Sequence, residues 1–249
     1  MTRFVKDNYN IASINNIIDK VASISKRLEE TDKPIFIELV GTPKSGKTTL
    51  KKYLSNFFKK YGVNYKAHQE TAEYNPIKDK GSKQYDIWMV MELLRNITED
   101  LSQNEGKIII FDRGILDRIP WMKYDIDKGL MTQRDLERVT SMYDLSALDE
   151  YRPITQIFKT SPKLSVKRKG EPGFFVNEEN MEKFNGFLDE SMDSITSRTS
   201  YSNFIITDQY QDNIKKFTMD CTNNILDGIN QELDRRDELK KKQINKEER

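Results

Sequence analysis

Between Asn8 and Thr31, apolar residues recur at three- and four-residue steps. Ile11, Ile14, Ile17, Ile18, Val21, Ile24 and Leu28 thus share one face of an amphipathic helix, and Pro34 breaks the pattern. Ile35–Val40 has the length and composition of a buried strand, interrupted only by Glu38. Thr48–Lys60 reads as a helix with Leu50, Tyr53, Leu54, Phe57 and Phe58 on one side, and Gly62 is placed to end it. Val63–Ala67 follows as a short strand, Asp86–Gln103 as a helix and Lys107–Phe111 as the clearest strand of the chain. Further on, Thr132–Leu148, Asn180–Ile195 and Asn213–Leu233 read as helices, and Ile154–Lys159 and Phe204–Thr207 as strands. Lys163–Phe175 carries Lys163, Lys167, Arg168, Lys169, Gly170 and Gly173 and reads as a mobile basic loop. Asp234–Arg249 is almost wholly charged and lacks an apolar stripe, which predicts a disordered tail. Strands alternating with helices predict an α/β fold: a parallel sheet with helices on both faces.

Composition narrows the picture without redirecting it. At 249 residues the chain suits one large domain or one domain with appendages: an N-terminal helix over 1–32, a core over 33–233 and the tail 234–249. With 41 Lys+Arg against 40 Asp+Glu, bulk charge does not hold it on nucleic acid, although a local basic patch stays open. The longest apolar runs, such as Ile108–Phe111, fall far short of the roughly 20 residues a membrane span needs. Met1–Asn10 carries Arg3, Lys6 and Asp7 and leads into no apolar signal core, so a soluble, cytoplasmic protein is expected. The single cysteine, Cys221, forbids an internal disulfide and shares an apolar helix face with Ile214, Phe217, Ile225 and Ile229, which predicts a core position. His68, the only histidine, lacks partners for a zinc site and reads as packing or surface.

The chemistry begins at Gly41-Thr42-Pro43-Lys44-Ser45-Gly46-Lys47-Thr48, which matches the phosphate-binding pattern G-x-x-x-x-G-K-[ST]. Two glycines let the backbone wrap so that successive N–H groups point at phosphate oxygens, and the helix that follows adds the positive end of its dipole. Lys47 supplies a point charge to the outer phosphates, and the Thr48 hydroxyl can ligate Mg²⁺; Thr49 extends the cradle into the helix. A second anchor is Asp112-Arg113-Gly114, directly after a buried strand, at the sheet edge where α/β ligands bind. There Asp112 can hold Mg²⁺ directly or through water, while Arg113 suits a grip on a second or developing phosphate; capping the next helix is the plainer alternative. A third anchor is Glu70, with Glu73 beside it, just past the second strand. A carboxylate there can accept a proton from an attacking hydroxyl or hold it in line, and both glutamates can equally be solvated loop charge. Asp117 and Trp121 face either an acceptor or the first turns of a helix, and Trp88, Met89, Met91 and Leu93 either line a pocket or pack a helix.

With these anchors in place, Lys33–Gln211 resembles the deoxynucleoside kinase and thymidylate kinase branch of P-loop kinases, in an Asp-Arg-Gly variant. Deoxynucleoside kinases carry Glu-Pro-Val after strand two, the Glu serving as base for the 5′-hydroxyl; Glu70-Thr71-Ala72-Glu73-Tyr74 takes that place. They carry Glu-Arg-Ser after strand three, and thymidylate kinases Asp-Arg-Tyr, where this chain has Asp112-Arg113-Gly114. Thr160-Ser161-Pro162-Lys163 through Arg168 looks like their turn and the start of a lid spanning about 160–180, with Arg168 as the lid arginine. Arg95 matches by position the Arg that packs near the substrate. The base-reading Gln seven residues earlier falls on Trp88, and the lid holds one arginine rather than several.

The resemblance implies a P-loop NTPase fold with a five-stranded sheet in the order 2-3-1-4-5, ATP as donor (GTP as the alternative), Mg²⁺ and a possible homodimer. It implies an enzyme that moves the γ-phosphate to a hydroxyl of a nucleoside-like small molecule. Three other readings stay open: a kinase of nucleoside monophosphates or of a riboside such as nicotinamide riboside, a nucleic-acid-end kinase, and a nucleotide-sensing regulatory ATPase signalling through its terminal helices.

Overall fold

Successive residues of a strand face opposite helix layers, and the first strand shows what that alternation builds. The computed structural model describes residues 11–103, 105–170, 175–211 and 213–247. In chain order its elements are α1 (Ile11–Glu29), β1 (Ile35–Gly41), α2 (Lys47–Lys60), β2 (Tyr65–Ala67), α3 (Thr71–Tyr74), α4 (Lys83–Leu101) and β3 (Ile108–Asp112). These are followed by α5 (Arg118–Asp127), α6 (Gln133–Met142), β4 (Ile154–Lys159), α7 (Pro162–Lys169), α8 (Glu178–Glu190), α9 (Met192–Thr196), β5 (Tyr201–Ile206) and α10 (Ile214–Glu247). The strands pair in parallel throughout, in the order β2-β3-β1-β4-β5, as expected.

Ile35, Ile37 and Leu39 of β1 join a layer with Val21, Ile24 and Leu28 of α1, Leu50, Leu54 and Phe58 of α2, and Phe217, Cys221, Ile225 and Ile229 of α10. Phe36 and Val40 join the opposite layer with Leu93 and Ile97 of α4, Ile119 and Met122 of α5, and Phe184 and Leu188 of α8. Each such fully buried side chain contributes about 1.5–3 kcal/mol, which anchors α1 on this layer. Cys221 is buried in that core, and burial raises its thiol far above the ordinary range. All five strands end at the same sheet edge, so Gly41, Glu70, Asp112 and Thr160 emerge on one side.

The differences from expectation have local causes. Of the expected first helix, residues 8–10 and the side chains of Ile11 and Ile14 lie outside the described residues; Ile18 is 37% exposed, because the packed stripe runs through Val21, Ile24 and Leu28. Lys163–Lys169 is helical rather than a loop. Ser161 and Pro162 start α7 as a cap and first-turn pair, the Ser161 side chain accepting from Leu164 N–H at 3.4 Å, and Gly170 ends it at φ 94°. Gly173 lies outside the described residues. The expected helix over Asn180–Ile195 divides into α8 and α9 at Ser191, whose hydroxyl donates to Phe187 C=O at 2.6 Å. Thr132–Leu148 likewise divides into α6, opened by a Thr132–Asp135 capping box and ending at Met142, and a 3₁₀ turn at Ser146–Leu148.

Asp234–Glu247, expected as a disordered tail, continues α10. Its first charges are partnered: Arg27 of α1 pairs with Asp234 and Asp237, both at 2.8 Å, and buried Glu232 takes Arg235 and Arg236. Arg236 also donates to the C=O groups of Lys33 (3.0 Å) and Pro34 (2.8 Å). Surface charge that finds partners extends a helix already anchored upstream. Residues 248–249 lie outside the described residues. Among the described residues no helix is long and apolar enough to cross a membrane.

Candidate active site

The loop between β1 and α2 is tied down from four directions. Gly41 sits at φ 130°, and a Cβ there would stand 1.9 Å from the Phe158 carbonyl oxygen, which already accepts the Thr42 N–H at 3.0 Å. Only glycine lets the loop cross β4 this closely. Thr42 Oγ1 donates to Asn185 Oδ1 at 2.6 Å, and Ser165 Oγ donates to the Pro43 carbonyl at 2.7 Å. Gly41 N–H donates to Asp117 Oδ1 at 2.7 Å. Anion-binding N–H groups held in this way need little reorganisation when a ligand arrives.

Lys47 lies under that loop, donating to Gly41 O (2.8 Å), Thr42 O (2.7 Å) and Ser45 Oγ (3.2 Å). Burial, helped by the nearby Arg113 cation, pushes its pKa down to about 7, against the pull of Asp117, Asp112 and Glu70. A buried ammonium so placed lacks a full counter-charge, which a polyphosphate would supply. Next to it Thr48 Oγ1 donates to Asp112 Oδ2 at 2.7 Å, with Lys51 Nζ 3.7 Å from the same oxygen. Asp112 Oδ1 is buried and has no hydrogen-bond partner. An orphaned buried carboxylate oxygen beside a threonine hydroxyl fits Mg²⁺, which takes one or two protein oxygens and leaves its other positions to phosphate and water. Among the described residues no group of three or more His, Cys, Asp or Glu could hold a metal ion.

Arg113 follows with φ 67°, a left-handed backbone that costs a bulky residue about 1–3 kcal/mol. The turn aims its guanidinium across the sheet edge: Nε stands 2.9 Å from Glu70 Oε1, and NH1 donates to Asp117 Oδ2 at 2.8 Å. Trp121 lies 5.3 Å beneath it and donates from Nε1 to the same Asp117 oxygen at 3.0 Å. Burial opposes the Arg113 charge, yet Asp117 and Glu70 hold its pKa above the ordinary value. Arg168 reaches over from α7, donating to Lys44 O at 3.2 Å and Thr207 Oγ1 at 3.3 Å, its pKa lowered by burial. A cavity of about 610 Å³ joins these groups, lined by Pro43 to Thr49, Glu70, Asp112, Arg113 and Arg168.

Some expected residues stand elsewhere. Glu73 is exposed and accepts from Gln69 at 3.0 Å, and Trp88 lies edge-on to Tyr74 with ring centroids 5.7 Å apart. Arg95 is exposed on α4, where Glu92 and Glu99 pair with it at 2.6 and 2.5 Å. Acids three residues before and four after it draw it along the helix surface instead of into the cavity. Asp117 is fully buried beneath the loop as an anchor rather than facing the cavity. His68 is a packed residue, Nε2 2.6 Å from Asp100 Oδ2 and its ring stacked on Phe111.

Sequence reading missed two groups. Tyr210, Gln211, Ile214 and Phe217 also line the cavity; the apolar pattern placed Ile214 and Phe217 on a helix face, and nothing in it pointed to the site. Behind Trp121 lies a buried cluster in which Arg118 NH2 donates to Asp86, and Asp125 adds a second carboxyl. Burial and the adjacent Asp86 hold the Asp125 pKa well above its ordinary 3.8. The folded state therefore binds a proton that the unfolded chain releases. The resulting stability is complete below about pH 4 and is lost as pH rises through the folded value. Asp125→Asn keeps a neutral donor toward Asp86. Its melting temperature is expected to gain steadily on wild type as pH rises from 5 to 8. Parallel melting curves across that range would contradict the burial assigned to this pair.

No protein-family model matches the sequence, and no curated protein matches it significantly. Solved structures do resemble it. The chain matches the structure of deoxyadenosine kinase from M. mycoides with bound dATP at 21% identity and a TM-score of 0.57, over 78% of this chain and 100% of that one. The same kinase with bound dCTP matches at 22% identity and a TM-score of 0.54, and with products dCMP and a flexible dCDP at 22% and 0.55. Each of these covers 78% of this chain and 99% of the other. At such identities the likeness is one of fold, and together with the sheet order it establishes a P-loop NTPase fold.

Proposed function

We propose that this chain is an ATP-dependent phosphotransferase that moves the γ-phosphate to a hydroxyl of a nucleoside-like small molecule. The observation that carries the reading is convergence: Lys47, Glu70, Asp112, Arg113 and Arg168 border one cavity of about 610 Å³ at the rim of a pre-formed phosphate loop. In this reading the amides of the loop and Lys47 take the triphosphate, and Arg168 spreads charge off the transferring group. Thr48 and Asp112 would hold Mg²⁺, which when bound neutralises phosphate charge. Glu70 orients the acceptor hydroxyl and takes its proton, while Arg113 fixes Glu70 at 2.9 Å and meets the acceptor end. With α7 docked on the loop through Ser165 and Arg168, the lid side excludes water, which otherwise diverts transfer to hydrolysis. A nucleoside acceptor is favoured by the fold shared with deoxyadenosine kinase structures.

The test is product identification by mass after incubation with ATP and Mg²⁺ across nucleosides, nucleoside monophosphates, nicotinamide riboside and oligonucleotide 5′ ends. The expected result is a phosphorylated nucleoside. A labelled monophosphate, riboside or oligonucleotide would reassign the acceptor. ATP hydrolysis without any acceptor product would favour a regulatory ATPase.

A further inference from the structure

Glu38 is fully buried in the middle of β1, on the face that Phe36 and Val40 give to an apolar layer. A carboxyl in such a place is costly unless its oxygens are satisfied. They are satisfied by one short segment and a tyrosine from beyond it. Ile115 N–H donates to Oε1 at 2.8 Å, Leu116 N–H donates to Oε2 at 3.0 Å, and the Tyr151 hydroxyl donates to Oε1. Gly114 completes the contact: a Cβ there would stand 2.2 Å from Glu38 Cδ, so the carboxyl fills the space a side chain would need. Just before it, Arg113 N–H donates to Leu39 C=O at 3.1 Å. Four consecutive residues, Arg113 to Leu116, are therefore set by Glu38 and Leu39, and within them Arg113 takes its left-handed backbone.

We propose that Glu38 is a positioning residue for the acceptor side of the site: its buried side chain braces the turn Arg113–Leu116 and so sets where the Arg113 guanidinium stands against Glu70. The inference rests on the reading of Arg113 and Glu70 as acceptor-side groups. Burial raises the Glu38 pKa to about 7, with Tyr151 and the two N–H groups opposing the rise and Asp117 adding to it. Tyr143, also buried, is a further titratable group that senses Glu38. The brace does not depend on which protonation state prevails, because the N–H donors find an acceptor oxygen in either.

Four variants separate positioning from general support. Glu38→Leu keeps bulk and removes both acceptors; Glu38→Gln keeps shape and one acceptor, and remains informative if the leucine variant fails to fold. Gly114→Ser pushes on the brace from the other side, and Glu38→Ala combined with Gly114→Ser removes the collision. Nucleotide affinity is read by calorimetry with MgATP, and the turn by Trp121 emission in a Trp88→Phe background, since Arg113 lies over the Trp121 ring. Glu38→Leu should lower kcat/KM for the acceptor by about tenfold or more, the scale of one or two unpaired buried donors. It should change Trp121 emission while leaving MgATP affinity within about twofold, and Glu38→Gln should fall between. Gly114→Ser should copy the defect, and Glu38→Ala should partly restore it. Unchanged emission in both Glu38 variants, or equal losses of MgATP affinity and acceptor efficiency, would overturn the brace. Should wild type phosphorylate no acceptor, the functional reading falls, and emission with nucleotide affinity still decides the role of Glu38.

Discussion

Lys47→Ala is expected to abolish phosphoryl transfer, with a loss of at least about 10³-fold, because removing even a neutral donor from a developing oxyanion costs about 10²–10³. Lys47 is more than a donor. Among the described residues its ammonium is bound by Gly41 O, Thr42 O and Ser45 Oγ and meets no carboxylate directly, and burial pushes its pKa down to about 7. The folded protein thus holds an amine whose charged form has lost its ordinary hydration, and the charge of a triphosphate compensates for that loss. The same fact predicts the stability result: the alanine variant should melt close to wild type in the absence of nucleotide, because the relieved cost of burying the ammonium offsets the three hydrogen bonds given up. Arginine should not rescue it, since a planar guanidinium cannot follow three acceptors gathered around one point. Turnover and thermal melting of both variants check this. An alanine variant retaining a tenth of wild-type turnover would remove the loop from the chemistry.

Glu70→Gln should lower turnover by about 10²-fold or more, the usual range for a general base, with MgATP affinity unchanged. Glutamine preserves the backbone position at the start of α3 and still offers an oxygen to Arg113 Nε, now at 2.9 Å from Glu70. The substitution therefore isolates proton acceptance from placement. Turnover should fall less far in Arg113→Lys, which loses the two-point hold on Glu70 and Asp117 but leaves the base itself. Near-wild-type turnover in Glu70→Gln would take Glu70 out of the mechanism.

The parts of this architecture that were legible in the sequence are those a local pattern encodes. The apolar runs at Ile35 and Ile108 gave the central strands, and the spacing from Gly41 to Thr48 gave the loop with its lysine and threonine. Asp112 and Glu70 were placed by their position after strands, and both border the cavity with the loop. Arg95 was placed by matching a distant family, and the acids around it on α4 could not be weighed without knowing which face turned outward. The tail from Asp234 lacks an apolar stripe, and its partners on α1 lie some 200 residues upstream, where no window sees them. Glu38 was visible only as a blemish in an apolar strand. Its meaning depends on Gly114 and Tyr151, which the fold alone brings together.

The central claim is that a nucleoside triphosphate nests on the loop that ends at Lys47, opposite Asp112 and Glu70. Calorimetry of MgATP and MgGTP binding at pH 8, in buffers of different ionisation enthalpy, tests it most directly. One site should appear for at least one of the two, with net uptake approaching one proton, because an anion raises the pKa of a lysine held near 7, and the heat should disappear in Lys47→Ala. No binding of either nucleotide, or binding that Lys47→Ala leaves intact with no proton taken up, would contradict the account.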